Sequence, residues 1–134
     1  MQLTGIHHLT AISARIRENR RFYTDVLGLR LVKRSVNQDD PRTPHLFWAN
    51  YDGKRVAQHS TITQFGWPRS DYFARPGAGQ TDYVAFRAGS ADELDGWREQ
   101  LLSAGVDPAA IMENGTHTLG FAAPDGLRMK LSAD

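Results

Sequence analysis

The chain has 134 residues, no cysteine and a formal net charge of +1. That length suits one domain with a core of its own, and the lack of thiols excludes disulfide scaffolds, thiolate nucleophiles and cysteine-based zinc or iron–sulfur sites. The small net charge excludes a broad field of one sign for nucleic acid or an anionic membrane. No stretch approaches the ~18 apolar residues of a membrane span, and the first residues show no basic region followed by an apolar run. The chain is therefore expected in the cytoplasm, with neither a membrane nor a nucleic-acid partner.

In chain order, Ile6 to Ile12 is predicted as a strand and "RENRRFYTDVLGLRL" as a short helix. Phe22, Tyr23, Val26 and Leu27 make one apolar stripe of that helix, Gly28 suits the left-handed residue that ends it, and Arg15, Arg17, Arg20 and Arg21 form its solvated face. Leu29 to Val36 alternates as a strand should; a loop with Asp39, Asp40 and Pro41 as solvated turn residues leads to the strand "HLFWAN". "YDGKR" is predicted as a hairpin turn and "AQHSTITQF" as a further strand. Residues 66–80, rich in Gly, Pro and charge, have neither period and connect two halves.

The same order then repeats. "TDYVAFRA" is a strand, and Ser90 with Glu93 makes a capping box before a helix whose stripe is Leu94, Trp97, Leu101 and Leu102, closed by Gly105. Strands are predicted near Ala110 to Glu113, Thr116 to Ala122 and Leu127 to Ser132, the last two joined at Pro124-Asp125-Gly126. The predicted fold class is α+β: two βαβββ modules, about 3–66 and 80–133 of a single domain 1–134, forming a curved mixed sheet around a cleft with helices on the outer face. A cleft lined by strand residues is a natural small-molecule site.

Adjacent strand residues face opposite ways, so only one of His7 and His8 can enter such a cleft. His8 shares its face with Ile6 and Thr10, whereas His7 goes with Leu9 and Ala11, which favours His8. By the same parity Met129 and Leu131 face the helix, so Arg128 and Lys130 point into the cleft, where a cation can hold an acidic or phenolate ligand. His117 is another candidate for the cleft; His45 and His59 are expected in structural or solvent roles. No nucleophile elbow, phosphate-binding loop or HExxH helix is present.

"GIHHLT", "RRFYTDVLGLRLVKRSVNQDDPRTPHLFW" and "FAAPDGLRMKL" together resemble the vicinal oxygen chelate superfamily of glyoxalases, bleomycin-resistance proteins and extradiol dioxygenases. Within it the chain resembles the N-terminal half of hydroquinone-type ring-cleaving dioxygenases. The resemblance implies paired modules, a small aromatic diol as substrate, and Fe(II) or another divalent metal held by first-strand histidines and a last-strand glutamate. Carried over by position, His8 is the metal ligand, but the second module has Tyr83 and Lys130 at its ligand positions, and a protonated lysine has no lone pair to offer. His7, Tyr83 and Lys130 are the implied catalytic group, with Gln64, His117 and Arg128 as substrate contacts.

Two readings stand. In one, the chain is a dioxygenase half whose remaining ligands come from a homodimer or a second half; Trp48, Trp67, Tyr72 and Phe73 offer apolar area for that partner. In the other, the fold binds or sequesters a small aromatic molecule without metal.

Overall fold

The computed structural model describes residues 7–50, 61–67, 77–113 and 115–133. The "YDGKR" turn, His59, Tyr72 and Phe73 lie outside the described residues. The chain divides into two compact units, 1–73 and 74–134, and the boundary falls inside the connecting segment expected at 66–80. Among the described residues each unit contains one four-stranded mixed sheet and one helical segment, so the expected α+β architecture of two βαβββ modules is present as two sheets.

The first unit runs β1 (His8–Ser13), α1 (Ile16–Arg21) continuing into a π-helical turn (Phe22–Val26), β2 (Arg30–Val36), β3 (Pro44–Ala49) and β4 (Thr61–Gly66), with sheet order β1-β4-β3-β2. β1 and β4 are parallel; the other pairs are antiparallel. The helix widens at its C-terminal end, where the Leu27 amide donates to the Phe22 carbonyl at 3.0 Å and the Leu29 amide to the Tyr23 carbonyl at 2.8 Å. Gly28, at φ +65°, then turns the chain into β2 in a conformation that side chains with a Cβ rarely adopt. Phe22, Tyr23 and Leu27 are buried as the stripe predicts, and Arg15, Arg17, Arg20 and Arg21 are exposed. In the β2–β3 loop, Asp40 accepts from the Arg42 side chain at 3.0 Å and from the Thr43 hydroxyl at 3.1 Å, and the Arg42 bond holds its carboxyl below 3.8.

α1 is anchored to its sheet partly by a buried polar chain. Asn19 Nδ2 donates to Ser13 Oγ at 2.9 Å and to Gln64 Oε1 at 3.1 Å, and Gln64 Nε2 donates to the Tyr23 hydroxyl at 3.3 Å. Tyr23 also packs on Trp48, ring centroids 5.0 Å apart, and both are fully buried. Trp48 is therefore core, which corrects the expectation that it offers apolar area to a partner.

The second unit runs β5 (Val84–Arg87), α2 (Ala91–Ser103), β6 (Ala109–Glu113), β7 (Thr116–Ala122) and β8 (Arg128–Ser132), in sheet order β5-β8-β7-β6. Ser90 Oγ accepts from the Glu93 amide at 3.4 Å, as the capping box requires, and Gly105 at φ +76° ends the helix. α2 buries Leu94 and Leu101 over a core containing Leu119, Phe121, Met129 and Leu131. Leu102 is instead 44% exposed, because it lies one residue round the helix from Leu101 and outside the stripe.

Gln64→Ala should cost about 1–3 kcal/mol of stability, since it leaves Asn19 and Tyr23 short of a buried partner. Urea unfolding monitored by circular dichroism checks this, and an unchanged midpoint would contradict the anchoring role.

Candidate functional site

Each sheet has one face under its helix and one face away from it, and strand alternation sorts the side chains between them. On β4, Ile62 and Gln64 take the helix face. The other face of the first sheet then carries His8 and Thr10 from β1, Thr63 and Phe65 from β4, His45 and Phe47 from β3, and Lys33 from β2. The register places Thr10 beside Thr63, Thr63 beside Phe47, and Phe65 beside His45.

The His45 ring is tilted against Phe47 and Phe65, with centroid distances of 4.1 and 4.0 Å. Its Nε2 is 3.0 Å from Thr63 Oγ1, and that hydroxyl donates to Thr10 Oγ1 at 2.9 Å. Either partner can donate in the His45–Thr63 contact, according to the tautomer of the ring. Burial pushes the His45 imidazolium pKa below 6.5, and the charges of His8 and Lys33 push it the same way. Sequence reasoning gave His45 no place in the site, although the alternation of His45 with Phe47 carried the signal.

His8 is exposed on this face at the start of β1. His7 precedes the strand, and its Nδ1 lies 2.7 Å from His8 Nδ1 with the rings edge to face. The expectation that the two histidines face opposite ways is corrected, because the alternation rule needs both residues to be in the strand. The contact engages one nitrogen of each ring and leaves Nε2 as the His8 nitrogen to offer a metal.

On the second sheet, Lys130 of β8 pairs with Ala85 of β5 and with Gly120 of β7, which pairs in turn with Ala109 of β6. The Lys130 side chain is 13% exposed, with its ammonium 2.5 Å from Glu113 Oε1 and 3.6 Å from the centre of the Tyr83 ring. Arg128 forms an ion pair with Asp82. Tyr83, Lys130 and Arg128, singled out in sequence, therefore come together around a shallow hollow of about 380 Å³. Glu113 was missed, because only the strand order β8-β7-β6 brings it within reach of Lys130.

Two expected substrate contacts lie elsewhere. Gln64 is fully buried on the helix face, where Asn19 and Tyr23 engage its amide. His117 shares its parity with buried Leu119 and Phe121 and lines a separate groove with Asp92, Asp95 and Arg98 of α2. Both placements follow from alternation with apolar neighbours.

Among the described residues no group of three His, Cys, Asp or Glu side chains converges to hold a metal ion. His8 supplies one suitable nitrogen, and the second sheet puts an ammonium, already paired with a carboxylate, next to a phenol ring. These residues do not by themselves fit a complete metal centre.

This βαβββ pairing, with its helix-free faces carrying polar side chains, defines a glyoxalase-type fold. Residues 5–131 match the family model, and the chain belongs to the Glyoxalase/Bleomycin resistance protein/Dioxygenase superfamily. It is 37% identical over 136 residues to MhqA of Bacillus subtilis strain 168, provisionally named a ring-cleaving dioxygenase, which covers 100% of this chain and 42% of that protein. The chlorohydroquinone/hydroquinone 1,2-dioxygenase of Sphingobium indicum is 29% identical over 126 residues, 92% of this chain and 38% of that protein. A crystal structure of a provisionally assigned dioxygenase from B. subtilis superposes with a TM-score of 0.85 at 34% identity, over 98% of this chain and 41% of that one. The chain thus spans about two fifths of the length of these relatives. Among the described residues no helix is long and apolar enough to cross a membrane.

A depressed His45 pKa means that the unfolded chain binds a proton before the folded one, so stability is held above pH 6.5 and lost as pH falls through the folded value. An NMR titration should give His45 a midpoint below 6.5, and Phe65→Ala should raise it by rehydrating the ring. A midpoint at or above 6.5 in the parent chain would contradict the burial argument.

Proposed function

We propose that this chain is a module of a ring-cleaving dioxygenase that acts on a small aromatic diol in the cytoplasm. In this reading the single domain contributes His8 to a divalent-metal site, Fe(II) being the first choice, that is completed by a second copy of the chain or a second dioxygenase half. The observation that carries the reading is the helix-free face of the first sheet. There an exposed His8 shares a surface with His45, Phe47 and Phe65.

Iron(II) held by two histidines and one carboxylate keeps positions open for diol oxygens and dioxygen. The described residues offer one of those three ligands. What they do on their own is bind and orient. Phe47 and Phe65 give an apolar, aromatic surface suited to the face of a substrate ring. His45, its pKa lowered by burial, is a hydrogen-bonding imidazole between these rings, held through Nε2 by the Thr63 hydroxyl. The names of the relatives at 37% and 29% identity support ring cleavage and a hydroquinone-like substrate class.

The test is anaerobic purification followed by Fe(II) loading, with bound metal per chain, solution mass and dioxygen uptake with hydroquinones and catechols measured together. The reading predicts bound iron in a dimer or in a complex with a second half, and His8→Ala should weaken binding about tenfold or more. Iron far below one per chain in every assembly state, unaffected by His8→Ala, would overturn it.

A further inference from the structure

We propose that the outer edge of β6 is an interface for a second copy of this chain, whose own β6 adds to it antiparallel and centred on Ile111. Two four-stranded sheets then become one continuous sheet. The pairing gives the second copy of the reading above a surface to dock on, but it needs neither His8 nor a metal and is tested without one.

β6 ends the order β5-β8-β7-β6, so among the described residues it pairs on one side only. The matching edge of the first sheet is β2, which also follows its module's helix. β2 carries the protections that edge strands use: exposed Arg30, Lys33 and Arg34, and a register shift between Leu31 and Lys33. β6 has neither. Ala109 to Met112 are uncharged, the register with β7 runs unbroken from Ala109 to Glu113, and Met112 is 58% exposed. An open, regular and apolar edge is a template for another strand.

Register and direction identify that strand. Glu113 pairs with Thr116 across a two-residue turn, and such turns close on a pair that exchanges both backbone hydrogen bonds. Alternation then aims the N–H and C=O groups of Ala109, Ile111 and Glu113 at β7, and those of Ala110 and Met112 outward. An antiparallel copy centred on Ile111 sets Ala110 opposite Met112 of the second copy, so the outward donors and acceptors match. Centring on Ala110 instead would set Met112 against Pro108, which has no N–H to give.

The side chains agree with this register. Ala110 pairs with buried Leu119 and Met112 with His117, which puts both on the helix face, beside the groove of about 460 Å³ that α2 leaves open along β6. Met112 of one copy then covers Ala110 of the other and takes apolar surface out of water. α2 supplies the charge. β5 and β6 run parallel to each other, so the helix that connects them runs back against β6. It carries Arg98 toward the Ala110 end of the groove and Asp92 and Asp95 toward the Met112 end. A two-fold axis at Ile111 turns each acidic end toward the Arg98 end of the other copy. An isologous interface must be complementary to itself, and this edge is, which selects a second copy as the occupant.

One edge strand and its flank make a small interface, in the range of transient complexes below about 1,200 Å². The experiment is analytical ultracentrifugation of the full chain in EDTA, from micromolar to millimolar concentration. Reversible dimerisation is expected, with an isotope-filtered NOE between the Ile111 Hα protons of a labelled and an unlabelled copy. Ala110→Pro removes an outward N–H that the fold does not use, and the dimer loses it twice. It should weaken the dimer about tenfold while leaving the circular dichroism unchanged. Met112→Lys should do the same by guarding the edge. Arg98→Asp should weaken the dimer severalfold, and adding Asp95→Arg should recover it, because each helix then offers the reversed pair. A monomer at every concentration, a dimer that Ala110→Pro and Met112→Lys leave intact, or assembly only when Fe(II) is added would overturn the proposal.

Discussion

Among the described residues each unit has one helical segment and one four-stranded sheet, and that helix seals one face of its sheet. Everything chemical in this chain follows from that constraint. The sealed face of the first sheet carries Ile62, Gln64 and Trp48, tied to α1 by the Asn19–Gln64–Tyr23 chain; that of the second carries Leu119, Met129 and Leu131 under α2. Strand alternation sends the intervening residues the other way, and there the chain places His8, His45, Tyr83 and Lys130. A buried polar chain is an unusual way to dock a helix, since each of its members must stay paired. It also explains why Gln64, a side chain with ligand-binding groups, is committed to architecture.

The two helix-free faces carry different chemistry. The first is built of imidazoles, hydroxyls and aromatic rings, with Lys33 of β2 beside them. The second is built around a fixed ammonium with its own carboxylate, and it has no lone pair to give while the lysine is protonated. One face offers uncommitted imidazole nitrogen; the other offers an ammonium already paired with Glu113. Membership of the glyoxalase and dioxygenase superfamily is compatible with both, because the family match lies in the modules that build the faces.

Much of the fold was legible in the sequence. The capping box at Ser90, the left-handed glycines at 28 and 105, and the strand Thr116–Ala122 are local signals, and each element formed where its signal lay. Arg128, Lys130 and Tyr83 could be grouped because alternation with buried Met129 and Leu131 is itself local. Applied with equal rigour, the same rule would have moved Gln64 and His117 off the site, since Ile62 and Leu119 share their faces. His7 depended on where the strand begins, which alternation cannot say. Glu113 and the His45–Thr63–Thr10 chain depended on strand order, which is a tertiary property and has no sequence period.

The central claim is this division of labour between the two faces, and paramagnetic line broadening tests it most directly. When Mn²⁺ is titrated into the uniformly ¹⁵N-labelled chain, the account predicts that broadening starts at His8 and its neighbours on β1 and β4, with none centred on Tyr83 and Lys130. Broadening that starts at Lys130 and Glu113, or that ignores His8, would contradict it.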